Sequence, residues 1–287
     1  MKIPELIMLC GLPGSGKTTY AEHYKDTHNC VHMSSDNIRS ELYGDPSIQG
    51  DPNEVFGVMN SRTVELLNKG QSVIYDATNL TRKSRASIIS MCPKPILLEC
   101  VITWNSIEQC IENDKNRDRH VGERVIDRMV KSFQAPFYDE GFHSIRVVTG
   151  DYDAGKYVGR SLASMRIPHD NPNHTLNILS HCEEAAKYLE NKGANRDLTQ
   201  AAILHDIGKP YTKSFTDSKG NPTETAHYYQ HQNVGAWMSY GFEKDVYTAW
   251  LISTHMEPYF NSKYYRNLPE YLKRDIDLLN EADRNAH

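Results

Sequence analysis

The sequence predicts two units of different construction: an α/β unit built on a parallel sheet, then an all-helical unit. Up to about Gly150, short Val-, Ile- and Leu-rich runs alternate with helical stretches. That alternation is the pattern of a parallel sheet covered by helices on both faces. From about Asn173 onward, strand-like runs nearly vanish and helical periodicity takes over. A chain of 287 residues is long for one compact domain and suits two.

The elements follow in order. Strands are expected at Leu6–Cys10, in the short apolar stretch ending near His32, and at Gln71–Tyr75, Pro95–Thr103 and Ser144–Val148. Helices are expected at Thr18–Asp26, Asn53–Lys69, Thr81–Met91, Ser106–Lys115 and Arg124–Phe133. In the second half they are expected at His174–Glu190, Asp197–Ile207, His227–Tyr240, Val246–His255 and Leu268–Arg284. Residues 151–172 hold little periodicity and form the boundary, which gives domains of 1–152 and 165–287.

Composition narrows the class. Hydrophobic residues are 39% and charged residues 24%, ordinary for a globular protein. No apolar run approaches the roughly 20 residues that span a membrane. The first apolar run is too short for a signal peptide and reads as a buried strand. The six cysteines form no C-x-x-C pair, so reduced thiols in a cytoplasmic protein are expected. A net charge of −5 argues against a broad nucleic-acid surface but leaves room for a local basic groove.

Residues 11–18, Gly-Leu-Pro-Gly-Ser-Gly-Lys-Thr, fit G-x-x-x-x-G-K-S/T between an apolar strand and a helix. Gly11, Gly14, Ser15 and Gly16 would curl the backbone around phosphate oxygens at the positive end of the next helix. Lys17 would reach the β- and γ-phosphates of ATP, Thr18 would hold Mg²⁺, and Thr19 continues the cradle. Asp36 lies just past the second strand, where ligands of open parallel sheets sit. It suits a general base toward an attacking hydroxyl. The plainer alternative is the cap of a helix at Asn37–Leu42. Arg39, one turn on, can clamp an acceptor phosphate. Asp76 ends the third strand and suits the Mg²⁺ shell, with Thr78 and Asn79 at the acceptor site, although Asp and Asn are also turn residues. Arg117 and Arg119, with Arg124 behind them and Gly122 as a hinge, suit charge neutralisation over the phosphates. A solvated face of ion pairs is the plainer alternative for this run.

Taken together, G-L-P-G-S-G-K-T-T, S-S-D-N-I-R, D-A-T-N-L-T-R and R-D-R-H-V-G-E-R resemble the 5′-kinase domain of phage-type polynucleotide kinases over about the first 150 residues. The resemblance implies Asp36 as the base toward a 5′-hydroxyl. It implies Arg39 on the acceptor's phosphate and Arg117 with Arg119 on the ATP phosphates.

In the second half, His205 and Asp206 sit inside the apolar run Ala201–Lys209. Two polar side chains there are costly to bury unless a partner such as a metal ion meets them. His181, His231, His255 and Asp283 fall in different predicted helices and are further candidates. His227, four residues before His231, competes with it for the same role. Imidazole and carboxylate suit Mn²⁺, Ni²⁺, Co²⁺, Fe or Zn²⁺ without deciding among them. The H…HD…D pattern in its A-I-L-H-D-I-G-K context resembles the HD superfamily of metal-dependent phosphohydrolases, and the two extra histidines resemble its two-metal subset. That resemblance implies one or two divalent metals, Lys209 facing the substrate phosphate, and His174 as an outer or acid group.

The two resemblances together imply an end-healing enzyme: a kinase for a 5′-hydroxyl and a phosphohydrolase for 2′,3′-cyclic phosphate or 2′/3′-phosphate ends. RNA is expected ahead of DNA, a ligase is the natural downstream partner, and no membrane is involved. A small-molecule kinase fused to a nucleotidase and an ATP-gated nucleotide sensor are the alternatives.

Overall fold

The computed structural model describes residues 3–117, 119–171 and 175–286. The chain divides into two compact units, one of residues 1–129 and 136–151, the other of residues 130–135 and 152–287.

The first unit runs β1 Glu5–Cys10, α1 Lys17–Thr27, β2 Cys30–Ser34, α2 Ser35–Tyr43, α3 Pro52–Asn68, β3 Ser72–Asp76, α4 Arg82–Ile89, β4 Leu97–Trp104, α5 Ile107–Lys115, α6 Glu123–Lys131 and β5 Ser144–Thr149. Its five strands lie in the order β2-β3-β1-β4-β5, all parallel. Every residue from Leu6 to Cys10 is buried. Successive strand side chains point to opposite faces, so central β1 is covered on both. Ile7, Leu9, Ile74 and Val101 pack with Ala21 of α1 in one cluster. The order β2-β3-β1 also sets three carboxyl ends side by side, those carrying Ser34, Asp76 and the loop after Cys10.

The second unit runs α7 Ala154–Ser164, α8 Ile178–Asn191, α9 Arg196–Leu204, α10 Lys209–Thr212, β6 Ser214–Thr216, β7 Pro222–His227, α11 His231–Ser239, α12 Val246–Thr254, α13 Glu257–Phe260, α14 Lys263–Asn267 and α15 Glu270–Asn285. Its core holds Trp237, Trp250, Leu251, Ile276 and Leu279, all fully buried. Phe133 packs edge-on against Trp237 at 5.3 Å.

Three local expectations change. Residues 154–164 form α7, capped by Asp153 onto the Lys156 N–H, where the sequence shows little periodicity. The helical unit also carries an antiparallel hairpin, β6–β7. Its β-branched threonines suit a strand. Asp217 closes its turn by accepting from the N–H groups of Lys219 and Asn221 at 2.8 Å. Because β7 runs through His227, the helix expected from His227 starts at His231 instead.

Candidate functional sites

In the first unit, the loop after β1 is shaped by close approach. A side chain on Gly14 would meet the Cys110 carbonyl at 2.3 Å, and φ of +77° there is left-handed besides. Ser15 Oγ is bonded to Thr103 Oγ1 at 2.8 Å and Asn113 donates to the Gly14 carbonyl at 2.8 Å, which anchors the loop to β4 and α5. The Gly11 N–H donates to the Thr78 carbonyl at 3.0 Å. Gly16, also left-handed, turns the chain into α1. Lys17 Nζ rests on the loop's own carbonyls, Gly11 at 3.1 Å and Leu12 at 2.8 Å. Burial pushes its pKa down, with Asp76 opposing. Thr18 and Thr19 are exposed at the start of α1.

Thr18 donates to Asp76 Oδ2 at 3.0 Å. A hydroxyl and a carboxylate paired at the loop's end are hard oxygen donors of the kind Mg²⁺ takes beside phosphates. The same Asp76 oxygen is bonded to His32 Nε2 at 3.1 Å, and His32 Nδ1 to Glu22 at 2.8 Å. Burial works against the charged imidazole, but Asp76 and Glu22 outweigh it and raise the His32 pKa. In the sequence His32 marks only the expected end of the second strand. A polar side chain within a strand that pairs with Asp76's strand is the signal that could have found it.

Asp36 does not cap α2. Ser34 does, accepting from the Asp36 N–H at 3.2 Å, so the Asp36 carboxylate is left for other partners. Its Oδ1 accepts from Arg39 at 3.0 Å and from Arg119. Among the described residues, no donor is bonded to its Oδ2. Arg117 is bonded instead to Asp114, a buried residue whose other oxygen accepts from the Val121 and Gly122 N–H groups at 2.9 Å each. Arg124 is exposed on α6. Asn79 makes a backbone tie. It is buried with φ of +46°, and its amide donates to the Leu9 carbonyl at 2.7 Å, tying β1 to the end of β3.

In the second unit, six residues expected to hold metal converge from five helices. His181 lies on α8, His205 and Asp206 at the end of α9, His231 at the first position of α11, His255 at the end of α12 and Asp283 in the last turn of α15. They form two groups that share a carboxylate: His181, His205, Asp206 and Asp283, then Asp206, His231 and His255. Asp206 Oδ2 faces His205 Nε2 at 3.4 Å and His181 Nε2 at 3.7 Å, while its Oδ1 faces His231 Nε2 at 3.3 Å. His181 Nε2 meets Asp283 at 2.9 Å. His231, not His227, joins the cluster. His227 lies on β7 and stacks on Tyr229 at 5.3 Å.

The donor set fits cations. Each of the four histidines has its Nδ1 on a backbone carbonyl, of Ala286, Ala202, Tyr228 and Ile252, at 2.7 to 2.9 Å. A carbonyl only accepts, so Nδ1 carries a proton, and in a neutral ring, as burial favours for His231 and His255, the Nε2 lone pair is turned inward. His231 and His255 thereby oppose two lone pairs at 3.2 Å. His205 Nε2 is buried without a hydrogen-bond partner. The carboxyl ends of α9 and α12 add negative partial charge. Burial pushes the pKa of His231 down to about 4 and of His255 to about 3. Burial alone would raise the Asp206 pKa, yet His205 and Lys209 hold it well below the usual range.

Lys209 Nζ lies 2.6 Å from Asp206 Oδ2 and over the Tyr228 ring, so its ammonium already has a carboxylate partner. His174 lies outside the described residues. A further histidine, His169, is buried against Asp206. It stands in the aperiodic stretch, where the sequence offered no helical face on which to place it.

Comparison with known proteins follows the same division. Residues 6–136 match a family model described as AAA domain, and residues 173–284 one described as HD domain. Transcription factor bHLH140 of Arabidopsis thaliana is 26% identical over 160 residues, 53% of this chain and 17% of that protein. A bifunctional polynucleotide phosphatase/kinase of Schizosaccharomyces pombe is 25% identical over 150 residues, 50% of this chain and 33% of that one. Among solved structures, a chain of the Pnkp1/Rnl/Hen1 complex is 26% identical and is covered to 39%, as is this chain, with a TM-score of 0.36. The chain spans about half or less of the length of the curated relatives it matches. It joins a kinase-like P-loop domain, matched at residues 6–136, to an HD domain, matched at residues 173–284.

Proposed function

We propose that the chain heals nucleic-acid ends, RNA ahead of DNA. Its first unit phosphorylates a 5′-hydroxyl from ATP. Its second hydrolyses a 2′,3′-cyclic phosphate or a 2′- or 3′-phosphate. The observation that carries this reading is Asp36. Arg39 and Arg119 both bind its Oδ1, which leaves Oδ2 to accept the proton of an attacking hydroxyl. Two guanidiniums beside that base suit an acceptor carrying its own phosphate, as a polynucleotide end does.

Around this base, Gly11, Gly14, Ser15 and Gly16 shape the loop for the ATP phosphates, Lys17 supplies the positive charge and Thr19 continues the cradle. Thr18 and Asp76 would hold Mg²⁺. Arg119, bonded to the base, and Arg117, held by Asp114 nearby in sequence, would meet the ATP phosphates. In the second unit, His181, His205, Asp206 and Asp283 would hold one divalent ion, and Asp206, His231 and His255 a second. Ions such as Mn²⁺, Ni²⁺, Co²⁺, Fe or Zn²⁺, when bound, supply an activated water and stabilise a leaving oxygen. Lys209 balances Asp206 and would face a substrate phosphate from there.

The name of the fission-yeast relative couples both activities, which supports pairing them here. The six cysteines are all free, which suits the cytoplasm. No helix of the described residues is long and apolar enough to cross a membrane. The product ends suit a ligase as downstream partner.

The test is one RNA oligonucleotide bearing a 5′-hydroxyl and a 2′,3′-cyclic phosphate, given ATP, Mg²⁺ and Mn²⁺, with both ends read by mass spectrometry. Gain of a 5′-phosphate with an opened or removed cyclic phosphate is expected. Two unchanged ends would favour a small-molecule kinase joined to a nucleotidase.

A further inference from the structure

In the first unit, Asp76 Oδ2 accepts two hydrogen bonds, from the Thr18 hydroxyl at 3.0 Å and from His32 Nε2 at 3.1 Å. Among the described residues, no donor is bonded to its Oδ1. The other side of the His32 ring is engaged as well, with Nδ1 on Glu22 Oε1 at 2.8 Å. Carboxylate oxygens only accept, so a bond at each nitrogen needs an N–H at each nitrogen. With either proton missing, a ring lone pair would face a carboxylate. Held between Glu22 and Asp76, the imidazolium is attracted at both ends.

The backbone accounts for this arrangement. β2 pairs with β3 in a register that sets His32 beside Ile74 and Ser34 beside Asp76. Side chains two apart on a strand share a face, so His32 lies on the face of Ile74 and Asp76. That face is the one on which Ala21 of α1 packs. Thr18 and Glu22 are four apart on α1 and also share a face. The outcome is a closed circuit from Thr18 to Asp76, to His32, to Glu22 and back along one turn of α1. Its inner members are almost shut off from water, with the His32 and Asp76 side chains 6% and 5% exposed. Glu22 stands at the rim, 48% exposed.

Thr18 alone would give the Asp76 carboxylate one tether, about which its two oxygens could exchange places. His32 adds a second tether to the same oxygen from a different element. Turning Oδ2 away would then break two buried hydrogen bonds at once, each stronger for the low dielectric around it.

We infer that His32 is a positioning residue for Asp76: it pins Oδ2 beside Thr18 and so keeps Oδ1 for the Mg²⁺ that accompanies ATP. The inference rests on the Mg²⁺ role proposed above for Thr18 and Asp76.

The test uses the full chain, Mn²⁺ as probe and a non-hydrolysable ATP analogue. Mn²⁺ affinity of the analogue-loaded chain is read by electron paramagnetic resonance, and analogue affinity in EDTA by calorimetry. Outer partners of a metal ligand typically contribute about 10–100-fold in metal affinity. His32→Ala is expected to weaken Mn²⁺ binding by that factor and to leave analogue binding in EDTA unchanged. His32→Gln, whose amide N–H can reach Asp76 without bringing a charge, recovers most of the loss. Unchanged Mn²⁺ affinity in His32→Ala would overturn the inference. Tighter Mn²⁺ binding in both variants would overturn it too, since His32 would then act only as a charge opposing the metal. So would weakened analogue binding in EDTA, because His32 would then shape the phosphate loop and not Asp76. A wild-type chain that binds the analogue but holds Mn²⁺ no tighter than the free analogue does would instead sink the Mg²⁺ role of Thr18 and Asp76.

Discussion

The Nε2 atoms of His231 and His255 face each other at 3.2 Å, each ring having its Nδ1 bonded to a carbonyl of its own chain segment. Two neutral imidazoles so arranged repel unless something positive lies between them. Protonating one ring is opposed by burial, which depresses both pKa values. A divalent ion resolves the conflict, and Asp206 Oδ1 at 3.3 Å from His231 completes the group. His255→Ala is therefore expected to lose this ion and keep the one bound through His181, His205 and Asp283. Metal content by plasma mass spectrometry should fall from two ions per chain to one. A variant that loses both ions, or none, contradicts the division into two groups.

The same group depends on a glycine. Gly208 has an ordinary φ, but a methyl added there would lie 2.1 Å from the His231 carbonyl and 2.7 Å from the Gly235 N–H. Both neighbours are backbone and cannot rotate away. Gly208→Ala must push α10 and α11 apart and carry His231 from Asp206. The expected cost is about 1–3 kcal/mol of stability, the usual range for overpacking, with loss of the His231–His255 ion. Equal ion content in Gly208→Ala and wild type would show that the close approach does not set the site.

Much of this was legible in the sequence, for reasons that differ by residue. The phosphate loop is contiguous, and its glycines are required by local geometry, so motif and structure coincide at Gly14 and Gly16. His205 and Asp206 betrayed themselves as two polar residues in an apolar helix. Asp36 could be placed but not assigned, because a cap and a base look alike until Ser34 is seen to do the capping. Asn79 was ambiguous, since an Asn at a strand's end suits a ligand site as well as a backbone tie. His169, Asp114 and the hairpin were out of reach. Their placement comes from contacts between segments far apart in sequence, such as His169 with Asp206, and no periodicity marks such contacts. His227 and His231 share a spacing that fits one helical face, and only the strand through His227 separates them.

Asp36 and Lys17 test the kinase half against the hydrolase half. If Asp36 Oδ2 takes the proton, Asp36→Asn should lower kcat for 5′-phosphorylation by about 10²–10⁴, the usual contribution of a general base, with little change in KM for ATP. Lys17→Ala should abolish phosphorylation. Both variants should hydrolyse bis(p-nitrophenyl) phosphate at the wild-type rate, since their side chains lie in the first unit. His205→Ala combined with Asp206→Ala should show the converse, releasing metal and leaving phosphorylation intact. Loss of both activities in a well-folded Asp36→Asn would defeat the assignment of separate sites.

Acid sensitivity follows from the depressed histidines. An unfolded histidine titrates near 6.5, whereas burial holds His231 at about 4 and His255 at about 3. Between those values the unfolded chain binds more protons than the folded one, so stability falls as pH falls. His205 has the opposite sign. Burial would lower its pKa, but Asp206 leads the interactions that raise it well above 6.5. Its contribution is complete below 6.5 and is lost as pH rises through its folded value. Asp206 and Asp283, held low, lose their contributions only below about 3.8. With EDTA present, the melting temperature should therefore peak near pH 6.5. The acid limb, between pH 6.5 and about 4, should belong to His231 and His255. Calorimetry of wild type and His255→Leu from pH 4 to 8 checks this: the variant should melt with a shallower acid limb and an unchanged alkaline one. An acid limb of equal slope in both proteins would mean that groups other than His255 set it.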